Sequence, residues 1–272
     1  MPIDISFVFA DEKPAGKHGF LRVDGDQLRF EDGTLAKFFG VNINGGANFP
    51  THEYAEQFVR RIAMVGCNIV RFHQLDAEWG IPNVCSFSRG KRVASTRTLD
   101  PQSMERLDYL VHCLKQEGIY IYLDMMTYRK FKEGDGVIDA DILPDLAKPW
   151  CLTNPWLREL QKEYMSNLWN HYNPYTGLCY KDDPAFVMTE IIAECDLFTD
   201  NHSQKKDYVP AQYYIDEFRG MFRDWLQKQE LEYDWQGCDL FARDETLIRF
   251  KMDVTRDYFR EMCGSKQNMA GC

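Results

Sequence analysis

Gly66-Cys-Asn-Ile-Val-Arg-Phe-His73 carries the reading of the fold. Gly66 stops a preceding helical pattern, and Ile69, Val70 and Phe72 then form a short β-prone run interleaved with and closed by the polar Arg71 and His73. A helix stop followed at once by such a run is the signature of one strand in a parallel sheet covered by helices.

The same two-stroke rhythm recurs on either side. Upstream, Thr51 caps a predicted helix with the apolar stripe Tyr54, Phe58, Ile62 and Val65. Downstream, Asp100-Pro101 opens a helix striped by Met104, Leu107, Val111 and Leu114, and Gly118 stops it before the strand 119–123. Asn154-Pro155 opens a third helix with Leu157, Leu160, Tyr164 and Leu168 on one face, and Asp182-Asp-Pro184 leads into the strand 185–192. Ahead of the rhythm, 16–37 reads as an N-terminal β-hairpin, with Asp24-Gly25 and Asp32-Gly33 supplying positive-φ turn positions and a further β-prone run at 36–39. Phe38 to Asn42 reads as a more buried strand that ends in the polar, glycine-rich stretch 42–48.

After Ile192 no strand is expected. Helical stripes cover 210–226 and 242–262, Trp169 and Trp225 read as helix core, and 264–272 reads as a polar tail. Right-handed crossovers make such a chain curl in one direction, as a doubly wound sheet or a (β/α) barrel. The readable parallel strands number about four, against eight in a closed barrel. The expected fold is therefore α/β, of the TIM (β/α)8-barrel type but incomplete, with about four β/α units and extra C-terminal helices in a single truncated domain, 1–272. Open sheet edges would then call for a partner, either a second copy or a missing C-terminal half.

Composition narrows the function. The 272 residues hold 32 Lys plus Arg and 42 Asp plus Glu, a formal net charge of −10, so neither a nucleic-acid backbone nor an anionic membrane surface is an expected partner. The N-terminal apolar patch 7–10 is too short for a secretory signal, and a cytoplasmic location is expected. Nine cysteines, with no CxxC pair, suit a reducing compartment and exclude zinc-ribbon spacing. No GxSxG, GxGxxG or GxxxxGK[ST] motif is present, which argues against an esterase or a nucleotide-binding fold, and no cofactor is expected.

In parallel α/β folds, chemistry gathers at the C-terminal ends of the strands. There stand Asn42 and Asn44, then Arg71, His73 and Asp76, then Asp124, then Glu190 and Glu194. Period two places Glu190, Ile192 and Glu194 on one face if the strand stays regular. That geometry either makes a carboxylate pair of Glu190 and Glu194 or sets Glu190 as a structural partner of Arg71. His73, Asp76 and Asp124 include metal-ligand types but lack ligand spacing, and no metal is expected. Trp79, Tyr128, Trp150, Trp156 and Phe198 lie in segments that follow strands; aromatic faces there suit either sugar rings or the scaffold.

Phe38-Phe-Gly-Val-Asn-Ile43, Gly66 to His73 and Leu75-Asp76 together resemble the opening of cellulase-like glycoside hydrolases, family five in the broad sense, within clan A. The stretches 107–124 and 173–184 are similar to that family's second helix with third strand and to its approach to the fourth strand, so the resemblance runs over roughly 18–262. It implies a (β/α)8 barrel and retaining hydrolysis of O-glycosyl bonds in β-linked glycans, with an oligosaccharide or polysaccharide as partner. By position, Glu194 is then the general acid/base and Arg71 supports the catalytic carboxylates. Asn44, His73, Asp76, Trp79, Asp124, Tyr128 and Glu190 become candidates for binding substrate. The family has Asn before that Glu; this chain has Ala193, whose methyl cannot bond a sugar hydroxyl. The family's nucleophile comes from a seventh strand, ~5 Å from the acid across the bond, and no such strand is readable here. The alternative is a protein that binds carbohydrate without cleaving it, or a partial barrel.

Overall fold

Aspartate, asparagine and threonine set the helix starts. Asp100 Oδ1 accepts from the amides of Gln102 and Ser103 at 3.1 and 2.9 Å, Asn154 Oδ1 from that of Leu157 at 2.9 Å, and Thr51 Oγ1 from that of Tyr54 at 3.3 Å. In the computed structural model, which describes residues 4–88, 92–143, 147–198, 211–240 and 242–269, the strands are β1 (Leu21–Asp24), β2 (Gln27–Phe30), β3 (Gly40–Asn44), β4 (Ile69–His73), β5 (Tyr120–Met126), β6 (Tyr172–Asn173), β7 (Leu178–Cys179) and β8 (Phe186–Ile192). The helices are α1 (His52–Met64), α2 (Pro101–Gln116), α3 (Lys148–Cys151), α4 (Pro155–Trp169), α5 (Gln212–Lys228) and α6 (Glu245–Met269). No helix among the described residues is long and apolar enough to cross a membrane.

The residues divide into two units: Met1–Val93, Thr98–Thr127 and Met165–Ala193 form the first; Ala94–Arg97, Tyr128–Tyr164 and Glu194–Cys272 form the second. In the first, β3, β4, β5 and β8 pair in that order, all parallel. Helices α1, α2 and α4 come between successive strands. The fold is thus α/β, with four β/α steps of a (β/α) barrel, half the strand number of a closed one. It also carries the expected N-terminal hairpin, β1 with β2, and the extra C-terminal helices.

One face of the sheet is dry. Val70, Phe72, Ile121 and Leu123 are wholly buried, as are Leu107, Leu110, Val111 and Leu114 of α2. A second core lies at the N-terminal ends of the strands, where Phe30 stacks on Tyr120 at 5.1 Å and Phe38 meets the same ring edge-on at 5.6 Å. There the hairpin covers the bottom of the sheet.

Four sequence expectations change. The run at 36–39 forms no strand: the chain pairs with β2 at one bridge, Arg29 to Leu35, and otherwise packs side chains on it, Phe38 lying edge-on to Phe30 at 6.3 Å. Strand β3 spans 40–44 and, apart from Ile43, is exposed, because it is the sheet edge. On α1 the buried side is Ala55, Val59, Ile62 and Ala63, while Tyr54 and Val65 are exposed and Tyr54 stacks on Phe58 at 5.8 Å. Small side chains let the helix lie close to its neighbours, which the bulkier stripe would prevent. The polar tail from 264 is instead the last turns of α6, as far as Met269; residues 270–272, like Pro210, lie outside the described residues.

In the second unit, Tyr214, Phe218, Phe222 and Leu226 of α5 are buried, as are Leu247, Phe250, Val254 and Tyr258 of α6. Phe250 packs 5.2 Å from Phe218 and 5.0 Å from Phe222. A buried carboxylate organises the loop after residue 128: Asp135 accepts from Ser95 Oγ, from both the amide and the hydroxyl of Thr96, and from the Lys132 amide.

Candidate functional site

Strand alternation sends the neighbours of the dry residues to the opposite face. Register rows run Asn42, Arg71, Tyr122, Met188 and, one step nearer the C-terminal ends, Asn44 with His73 and Asp124 with Glu190. The second face of the sheet is therefore polar. At its centre the Arg71 guanidinium donates from Nε to Asp124 Oδ1 at 2.9 Å, forms an ion pair through Nη2 with Asp124 Oδ2 at 2.9 Å, and donates from Nη2 to Glu190 Oε2. His73 Nδ1 bonds Asp124 Oδ2. Tyr122 donates its hydroxyl to Glu190 at 3.4 Å and lays its ring 5.3 Å from the guanidinium carbon.

Burial and solvent exposure are graded across this network. Asp124 is 1% exposed and His73 6%, while the Arg71 and Glu190 side chains keep 24% and 29% of their surface in water. Burial, and then the nearby charge of Asp124, push the Glu190 carboxyl above its ordinary value in spite of Arg71. Burial opposes charge on Arg71 as well, but the hydrogen bond and charge of Asp124 with the charge of Glu190 outweigh it and raise the guanidinium further. Burial, followed by Glu190, raises the Tyr122 phenol. Two carboxyl groups around one guanidinium place oxygens suited to accept hydroxyl protons at a partly open surface.

The other candidates are distributed as follows. Asn44 is exposed on the edge strand, in register with His73. Asp76 is buried and accepts from the amide of Thr127 at 2.9 Å and from its hydroxyl, so it fastens the turn after β5. Trp79 is 54% exposed. Trp150 is core at 2%, whereas Trp156 and Phe198 are exposed. Glu194 opens the second unit and is exposed; Tyr128, in that same unit, donates its hydroxyl to Glu194 Oε2. The strand ends at Ile192 and Glu194 has φ 51°, so strict alternation does not carry from Glu190 to Glu194. Ala193 is fully buried, and its amide donates to the Met126 carbonyl at 2.9 Å. Among the described residues no group of three or more His, Cys, Asp or Glu side chains is placed to hold a metal ion.

Sequence reasoning passed over Tyr122, although counting back two residues from Asp124 puts it on the same face. It also passed over Asn48, buried, whose amide group donates to the carbonyls of Gly45 and His73 at 2.9 and 3.0 Å and anchors the end of β4.

No protein-family model and no curated protein matches the sequence. Among solved structures, the chain is similar to the endo-1,4-beta-mannanase from Rhizomucor miehei, with 17% identity and a TM-score of 0.49 over 77% of this chain and 58% of that one. It is similar also to the endo-beta-1,4-mannanase from Thermotoga petrophila, with 19% identity and a TM-score of 0.44 over 72% of this chain and 41% of that one. A glycoside hydrolase family 5 mannosidase from Rhizomucor miehei matches with 15% identity and a TM-score of 0.47, over 93% and 70%. The likeness is one of fold. The match spans less than two thirds of the length of either mannanase.

Proposed function

We propose that this chain is a glycoside-hydrolase-like protein whose polar sheet face takes a β-linked glycan. One observation carries the reading: Arg71, clamped by Asp124 and Glu190, stands partly open to water at the C-terminal ends of parallel strands whose other face is dry. Hydrogen-bonding groups there match the hydroxyls of a sugar, with Asn44 and His73 flanking the network in register. From the resemblance, Glu194 is the general acid/base: it protonates the leaving oxygen as the carboxylate that the family supplies from a seventh strand attacks the anomeric carbon, and then takes a proton from the water that displaces that carboxylate. Arg71 orients carboxylates, and Trp79 offers an exposed indole to a ring face. No residue is assigned as nucleophile.

Ala193 favours a second reading, sugar binding without cleavage, since its buried methyl gives a 2-hydroxyl nothing to bond in the transition state. One set of measurements separates the two: calorimetry with β-1,4-linked manno- and gluco-oligosaccharides, and hydrolysis of the same sugars and of aryl β-glycosides. Hydrolysis by the wild-type chain that Glu194→Gln abolishes supports the enzyme. Binding without hydrolysis, weakened at least about tenfold by Arg71→Met, supports the second reading. Absence of both refutes the assignment of the polar face to sugar.

A further inference from the structure

We propose that Tyr128 and Lys148 are a positioning pair that holds the Glu194 carboxylate in place. The purpose of such a device rests on the reading of Glu194 as acid/base, whereas its geometry stands independently. Three observations within the second unit converge on it.

The first is backbone. Among the described residues Glu194 is one of four non-glycine residues with positive φ, at 51°. An L-residue with a long side chain enters this left-handed region only when its surroundings over-determine the conformation. The second is the hydrogen bond from the Tyr128 hydroxyl to Glu194 Oε2, which ties an exposed and otherwise rotamer-rich side chain to the segment that follows β5. The third is the cation. Lys148, at the start of α3, is 4% exposed, and its Nζ lies 3.7 Å from the centroid of the Tyr128 ring.

An ammonium out of water and against an aromatic face interacts strongly with the ring's negative quadrupole. It draws density from the phenol and so strengthens the O–H as a donor to a carboxylate. The contacts therefore form a series, ammonium to ring to hydroxyl to carboxylate, that ends on the residue with the unusual backbone. Cys195, the next residue, is no competing anion: burial pushes its thiol up to about 12 even with Lys148 pulling the other way. Tyr128 is thus a positioning residue, with one ring face occupied by Lys148 rather than offered to a sugar.

The test uses the full chain with 13C at the tyrosine ζ carbons, the Tyr128 resonance being the one absent from Tyr128→Phe. Glu194→Gln, a change at an exposed residue, is expected to move that resonance. Lys148→Met moves it too, while Lys148→Arg, which keeps a cation over the ring, leaves it near its wild-type position. Where hydrolysis is observed, Tyr128→Phe lowers kcat about ten- to a hundredfold with little change in KM, and Lys148→Arg retains more activity than Lys148→Met. A Tyr128 signal indifferent to Glu194→Gln overturns the pair, as does a Tyr128→Phe chain with wild-type kcat. If Lys148→Met does not fold by circular dichroism, the Glu194→Gln arm decides alone. A wild-type chain that hydrolyses nothing removes the acid/base reading and leaves the spectroscopic result to settle whether the pair exists.

Discussion

The two faces of the parallel sheet are built from the same strands and could hardly differ more. On one, Val70, Phe72, Ile121 and Leu123 are sealed from water. On the other, one residue along in each strand, Arg71, Tyr122 and Asp124, with Glu190 beside them on β8, form a charged network partly open to solvent. The comparison teaches that stability and chemistry are divided by alternation rather than by segment. The dry face can supply the free energy of folding through apolar burial, and the polar face must balance burial of charge against pairing of charge.

Three substitutions break or sharpen this contrast. The largest effect is expected on the dry face: Phe72→Ala removes a fully buried ring and should lower the unfolding free energy by about 3–5 kcal/mol, read from urea denaturation. A loss under about 1 kcal/mol would mean that this face is not the core. Next comes Asp124→Asn, which leaves Arg71 and His73 without their shared carboxylate. Because Glu190 still faces Arg71, a loss of roughly 2–3 kcal/mol is expected in the same assay, together with weaker sugar binding, whereas Phe72→Ala in its remaining folded fraction should bind as before.

The smallest effect is a pH dependence. The folded pKa of Glu190 is raised above the usual 4.5, by burial first and Asp124 second, so the folded state binds this proton more tightly than the unfolded chain. Its contribution is fully present below about 4.5 and is lost as pH rises through the folded value. Glu190→Gln removes that dependence along with the ion pair to Arg71. The wild-type stability minus that of Glu190→Gln should therefore fall as pH goes from 4 towards neutrality; a difference that stays flat or grows would show that Glu190 is not perturbed in this sense.

Local chemistry made much of the scaffold legible. Asp100-Pro101 and Gly118 bracket α2, and Asn154-Pro155 starts α4, because capping and stop signals act over three or four residues. The stripes named for α2, α4 and α6 were equally readable, since their residues are all buried. Helix α1 was not: Tyr54, Phe58 and Val65 look like a core stripe by hydropathy, yet Ala55, Val59 and Ala63 are the ones inside. Two faces of that helix carry apolar residues, and only close packing chooses the smaller side chains.

The sequence by itself determines which residue types stand at the ends of the parallel strands: Arg71 and His73 on β4, Asp124 on β5 and Glu190 on β8. Tertiary structure alone decided their company. Arg71 meets Asp124 across 53 residues and Glu190 across 119, and Glu194 meets Tyr128 across 66. Such pairings follow from strand register and from where a loop returns, quantities that depend on the whole chain having folded and that no local window of sequence contains.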